Sequence, residues 1–96
     1  LKFNSKTASS LYAELAPTLT SKPLANTIVN QSEQFITAIE ALIDHLGIPT
    51  RLRDMGVSKD ILPTLAKAAM QQQRLLINNP RVITEDDALT IYKSIY

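Results

Sequence analysis

The residues in this chain that could do chemistry are few and scattered. His45 is the only histidine, and there is no cysteine. A zinc- or iron-type site needs several such donors within reach of one another. His45 sits instead on the polar flank of an apolar-periodic stretch, next to Asp44, and reads as a solvated surface residue. Glu85, Asp86 and Asp87 form a run of carboxylates directly after Thr84. That order is what a helix start wants: a hydroxyl cap, then negative charge against the positive end of the helix dipole. Arg51 and Arg53 flank a short stretch with Asp54, which predicts local pairing and capping of carbonyls. Arg81 follows Asn79 and Pro80 in a loop, where a guanidinium can tie the loop to a neighbouring helix by hydrogen bonds. The glycines, Gly47 and Gly56, stand alone and make no phosphate cradle. No nucleophile–base–acid arrangement can be drawn from these residues.

The elements that position them are helical. Phe35, Ile36, Ile39, Leu42, Ile43 and Leu46 recur on one face of a 3.6-residue period. Six such side chains would contribute roughly 10 kcal/mol of gross burial as an upper bound. Gly47 and then Pro49 end this helix, and its start falls somewhere in 23–32. Ser9 and Ser10 are candidate caps for an earlier helix over 11–16, with Leu11 and Leu15 inward and Pro17 ending it or opening a turn. Leu1 to Asn4 is extended at best. A turn or two over 50–55 closes at Gly56, and Ser58 is a candidate cap for the next helix. Pro63 inside a helix would cost a backbone bond, so it is best placed in the first turn of a helix reaching about Gln73 or Arg74. Residues 75–83 read as a loop. Thr84 starts the last helix, with Ala88, Leu89, Ile91, Tyr92 and Ile95 inward. The expected fold is all-α, an array of about four to six helices.

Composition narrows the partners. Ninety-six residues suit one domain or a piece of one, and 45% are hydrophobic. The net charge is +1 with the basic residues dispersed, which argues against a nucleic-acid partner. No run approaches the roughly 18 apolar residues of a membrane span. A chain without cysteine fits a reducing compartment, and the expected location is cytoplasmic.

One stretch carries a family resemblance. LGIPTRLRDMGVSKDILPTLA, with Leu46, Gly47, Pro49, Leu52, Gly56, Val57, Leu62, Pro63, Leu65 and Ala66 as the matching positions, resembles the C-terminal helical domain of iron-containing alcohol dehydrogenases. LKFN at the start resembles that family's segment after its metal-binding helix. NNPRVITEDDALTIY at the end resembles its Asn-Pro-Arg loop and last helix. The resemblance runs in order through nearly the whole chain and is weakest over 6–32. It implies that residues 1–96 are the C-terminal portion of the helical domain of a two-domain enzyme. In such enzymes an N-terminal domain binds NAD or NADP, and one Asp and three His hold a divalent metal, usually iron.

On this reading the metal ligands and the dinucleotide-binding elements lie upstream, and His45 matches no ligand position. The chain then holds no catalytic residue, no cofactor site and no metal site of its own. It serves as a scaffold segment, inactive alone. The resemblance also implies that Leu75 or Leu76, before the Asn-Pro-Arg loop, lines the substrate entrance. The chain begins with Leu, as a cut piece would, so the expected partner is the missing N-terminal portion. Surface that faced that portion would make the isolated piece self-associate. The competing expectation is a free-standing helical module that binds a protein through an apolar groove.

Overall fold

The computed structural model describes residues 1–96. It contains five α-helices, α1 (Ser9–Leu19), α2 (Ile28–His45), α3 (Leu62–Ala69), α4 (Gln73–Leu76) and α5 (Glu85–Ser94), and no strand. Short 3-10 turns cover Lys2–Asn4, Leu52–Met55 and Lys59–Ile61. The chain divides into two compact units, Leu1–Ile48 and Pro49–Tyr96.

In the first unit α1 packs on α2. The contact is made by small residues on α1 and large ones on α2. Ala16 is fully buried against Phe35 and Ile36, with Tyr12 and Ile39 half-buried around them. Ala8 and Ala13 are buried as well. Phe35 and Ile36 together contribute about 3–6 kcal/mol through removal of apolar surface from water.

The apolar face of α2 is only partly used. Leu42 and Leu46, expected inside, are 46% and 61% exposed. Helix length accounts for this: 11 residues of α1 span about 16 Å and 18 residues of α2 about 27 Å, so α1 cannot cover its partner. Leu11 and Leu15, also expected inward, are exposed, and the alanines beside them take the buried positions.

Local signals decide the helix ends. Thr27 caps α2 by accepting the Asn30 N–H at 3.2 Å. At the other end Gly47 takes φ +65°. The Gly47 N–H then donates to the Asp44 carbonyl at 3.1 Å, and the Ile48 N–H to the Ile43 carbonyl at 3.4 Å, the paired bonds of a Schellman ending. Helix α1 begins at Ser9 after Ala8 and has no side-chain cap, so neither Ser9 nor Ser10 plays the expected role. Pro17 lies inside α1 rather than ending it. It forfeits one backbone donor near the end, and the Thr20 N–H still reaches the Ala16 carbonyl at 3.1 Å. Leu1 to Asn4 forms a 3-10 turn instead of an extended piece, with a Lys2–Glu40 ion pair across to α2.

The loop between α1 and α2 is held by two glutamines. Gln34 accepts the Ala25 N–H through Oε1 at 2.9 Å and donates Nε2–H to the Pro23 carbonyl at 3.0 Å. Gln31 donates to the Ala25 carbonyl at 2.8 Å.

In the second unit α3 packs on α5. Leu62 and Ala66 are each 1% exposed, and Ala88 is buried. Pro63 stands in the first turn of α3, where a missing N–H costs nothing, and the 3-10 turn Lys59–Ile61 precedes it. Ser58 does not cap α3. Its hydroxyl donates to the Asp60 carboxylate instead. Helix α3 ends at Ala69, earlier than expected, and residues 73–76 form the separate short helix α4 where the sequence reads as helix end and loop. Gly56, at φ +78°, closes the turn over Leu52–Met55. The Leu52 N–H at the start of that turn donates to the Ile95 carbonyl at 2.9 Å.

Candidate functional site

The Asn-Pro-Arg loop follows α4, and its geometry starts from two side-chain amides. Asn78 Nδ2–H donates to the Arg74 carbonyl at 2.9 Å, closing the end of α4. Asn79 Nδ2–H donates to the Arg81 carbonyl at 2.6 Å, folding the chain around Pro80. Two asparagines thus bond backbone carbonyls, one in α4 and one in the loop, as short polar side chains do in turns.

Around this loop lies an open groove of about 450 Å³. Met70, Leu76, Ile77 and Val82 supply its apolar wall, and Gln73, Asn79 and Arg81 its polar edge. Leu76 is half-buried and faces the groove. Leu75, the other residue singled out from the sequence, is 62% exposed and does not line it. Ile77 and Val82 are 83% and 85% exposed. Sequence reading passes over them because a loop is expected there; two aliphatic residues bracketing a polar Asn-Asn-Pro-Arg run are the signal.

Arg81 acts on the start of α5. The Thr84 N–H and hydroxyl hold the Asp87 carboxyl below the ordinary value, and the Arg81 charge adds a smaller contribution in the same direction. The Thr84 N–H donates to Asp87 Oδ2 at 3.0 Å and the Thr84 hydroxyl to the same oxygen at 2.8 Å. The Asp87 N–H returns to Thr84 Oγ1 at 3.1 Å, completing a capping box. The carboxylate run 85–87 is therefore a helix start. Asp60 is lowered in the same manner, first by the Ser58 hydroxyl and then by its own backbone N–H.

The remaining candidates stand apart. His45 is exposed in the last turn of α2. Arg53 lies 3.9 Å from Asp54, both more than half exposed, a pairing of small energetic worth. No three His, Cys, Asp or Glu side chains stand close enough together to hold a metal ion, so residues 1–96 do not by themselves fit the iron that the resemblance implies. No helix is long and apolar enough to cross a membrane.

Comparison with known proteins agrees with the fold and the order of motifs. The C-terminal model of the Fe-containing alcohol dehydrogenase family matches residues 1–96. Lactaldehyde reductase of Escherichia coli (strain K12) is 29% identical over 92 residues, which cover 96% of this chain and 24% of that protein. NADH-dependent butanol dehydrogenase A of Clostridium acetobutylicum is 41% identical over 51 residues, 53% of this chain and 13% of that protein. Among solved structures, 1,3-propanediol oxidoreductase superposes with a TM-score of 0.90 at 25% identity, covering 99% of this chain and 25% of that one. The chain thus spans about a quarter of the length of the first of these relatives and of the solved structure. It belongs to the Fe-containing alcohol dehydrogenase family, and what it shares with that family is the C-terminal part.

Proposed function

We propose that residues 1–96 are a scaffold segment in the helical domain of an iron-containing, NAD(P)-dependent alcohol dehydrogenase, and are not catalytic by themselves. The observation that carries this is the pairing of two coverages: nearly all of this chain superposes on a quarter of a solved oxidoreductase. In the parent enzyme hydride passes between an alcohol and NAD(P), with the metal acting as a Lewis acid on the oxygen. Those groups belong to residues outside 1–96, and no step of that chemistry is assigned to this chain. Its contribution is to hold the Asn-Pro-Arg loop and the groove beside α4. Leu76 lines that groove and is the residue we place at the substrate entrance, with exposed Leu75 next to it. A cytoplasmic location accompanies this reading, supported by the absence of cysteine.

The test is to read the coding region upstream of Leu1 and to assay the longer polypeptide with ferrous iron, NAD(P) and a panel of alcohols. The expected result is an upstream dinucleotide-binding domain with an Asp/His metal set, turnover by the longer protein and none by the 96-residue chain. Turnover by the 96-residue chain alone, or unrelated sequence upstream, would overturn the proposal. A Leu76→Ser variant of the longer protein should raise KM for the alcohol several-fold without changing its affinity for the dinucleotide.

A further inference from the structure

Ile77 and Val82 belong to the apolar wall of the groove beside α4, yet both are almost fully exposed. Side chains so exposed are not held by packing. What places them is the backbone on which they stand.

That backbone is constrained step by step. The Ile77 N–H donates to the Gln73 carbonyl at 3.0 Å, and the Asn79 N–H to the Leu76 carbonyl at 3.1 Å. Pro80 has its φ locked by its ring and disfavours the helical region for Asn79 before it. The Asn79 side chain then reaches across the proline and donates to the Arg81 carbonyl at 2.6 Å. That carbonyl lies in the same planar peptide unit as the nitrogen and Cα of Val82. By fixing the plane, Asn79 sets the direction in which the Val82 side chain leaves the loop. Asn79 is itself on the polar edge of the groove.

We propose that Asn79 is a positioning residue that holds Val82, opposite the end of α4 that carries Leu76 and Ile77, as a preformed wall for the alkyl chain of an alcohol substrate. This rests on the reading that the groove is the substrate entrance. A wall set in place before binding costs the ligand no ordering of the protein. Each methylene that leaves water for such a wall tightens binding by up to about fourfold. The groove then discriminates by chain length, and Asn79 governs that discrimination without touching the reacting atoms.

The test compares ethanol with 1-hexanol as substrates of the longer polypeptide, with Asn79→Asp as the variant. Aspartate keeps the shape of the side chain, but its carboxylate has no donor for the Arg81 carbonyl. The expected result is a KM for 1-hexanol raised about fivefold, the loss of roughly one methylene's contact, with the KM for ethanol and both kcat values little changed. Val82→Ala, a truncation of an exposed residue, should shift the same ratio in the same direction and decides the matter if Asn79→Asp does not fold. Gln34→Leu, which removes two loop hydrogen bonds in the first unit, should leave the ratio as it is. An unchanged hexanol-to-ethanol KM ratio in the Asn79 and Val82 variants of an active enzyme would overturn this proposal and leave the enzyme reading intact. An equal shift in Gln34→Leu would overturn it too, by showing general loosening. A longer polypeptide that turns over no alcohol would remove the enzyme reading, and this role with it.

Discussion

The ring of Tyr12 on α1 stacks on the ring of Phe35 on α2, with centroids 5.4 Å apart and planes inclined by 26°. Phe35 is the largest side chain in the buried cluster of the first unit, and Tyr12 packs against that cluster. Phe35→Ala should therefore destabilise that unit by about 3–5 kcal/mol. Tyr12→Ala should cost less, since Tyr12 is half-buried. A double-mutant cycle read by urea unfolding should return a coupling of about 0.5–1.5 kcal/mol for the stacked pair. A coupling of zero would mean that the two rings contribute independently.

Ser32 gives an expectation of opposite sign. Its side chain is 2% exposed on the inner face of α2, and its hydroxyl has no hydrogen-bond partner in the protein. A buried polar group without a partner pays for desolvation with nothing in return. Ser32→Ala should leave the midpoint of thermal unfolding unchanged or raise it by a few degrees. A clear drop would show that the hydroxyl has a bonding role in solution.

The loop between α1 and α2 depends on the amides of Gln34 and Gln31. Gln34→Leu keeps the bulk of the side chain and removes both of its bonds to the loop backbone. At about 1 kcal/mol net for each hydrogen bond, the loss should be about 2 kcal/mol locally. Amide exchange at Ala25 should quicken by tenfold or more, while exchange in the middle of α2 should hardly change. Uniform acceleration through α2 would contradict a local role.

Asp87 sets a pH dependence. Its pKa in the folded chain lies below the ordinary 3.8, chiefly because the Thr84 N–H and hydroxyl stabilise the carboxylate. The folded state thus binds fewer protons than the unfolded state around that pH. The stabilisation is fully present above the unfolded value and is lost as pH falls through the folded one. Between pH 5 and 7 the capping box should be insensitive to pH. Below about pH 4 the start of α5 should weaken. Asp87→Asn should flatten that acid limb, and Thr84→Ala should cost about 1 kcal/mol at neutral pH. Circular dichroism melts at pH 3 and pH 7 for the three proteins decide the matter.

How much of this was legible in the sequence depends on whether the cause is local. Gly47, Gly56, Thr84 and Pro63 all occupy the places their backbone chemistry predicts, because caps and φ restrictions act within a few residues. The start of α2 at Ile28 falls inside the expected range 23–32, but the Thr27 cap that fixes it was not singled out from the sequence. Which apolar residues face inward was legible only in part: Phe35, Ile36 and Ala88 are buried as expected, whereas Leu11, Leu15, Leu42 and Leu46 carry the right period and lie exposed. Periodicity reports that a face is apolar, and says nothing of which neighbour covers it. Helix α4 was missed for a related reason. Gln71 to Gln73 look like the polar end of one helix, yet the chain breaks at Met70 and starts again at Gln73, with Asn78 closing the second piece. In the groove, Leu76 was singled out through a family resemblance, whereas Ile77 and Val82 needed the fold of the loop around Pro80.

The bond from the Leu52 amide to the Ile95 carbonyl joins two points 43 positions apart in the second unit. A peptide ending at Ser94 would lack that acceptor, so the segment most sensitive to trimming there is the 3-10 turn at Leu52, remote in sequence from the trimmed residues. Anyone shortening this polypeptide, or changing Ile95 to proline or another residue that redirects its carbonyl, should look for the disturbance in the Leu52–Gly56 amide signals.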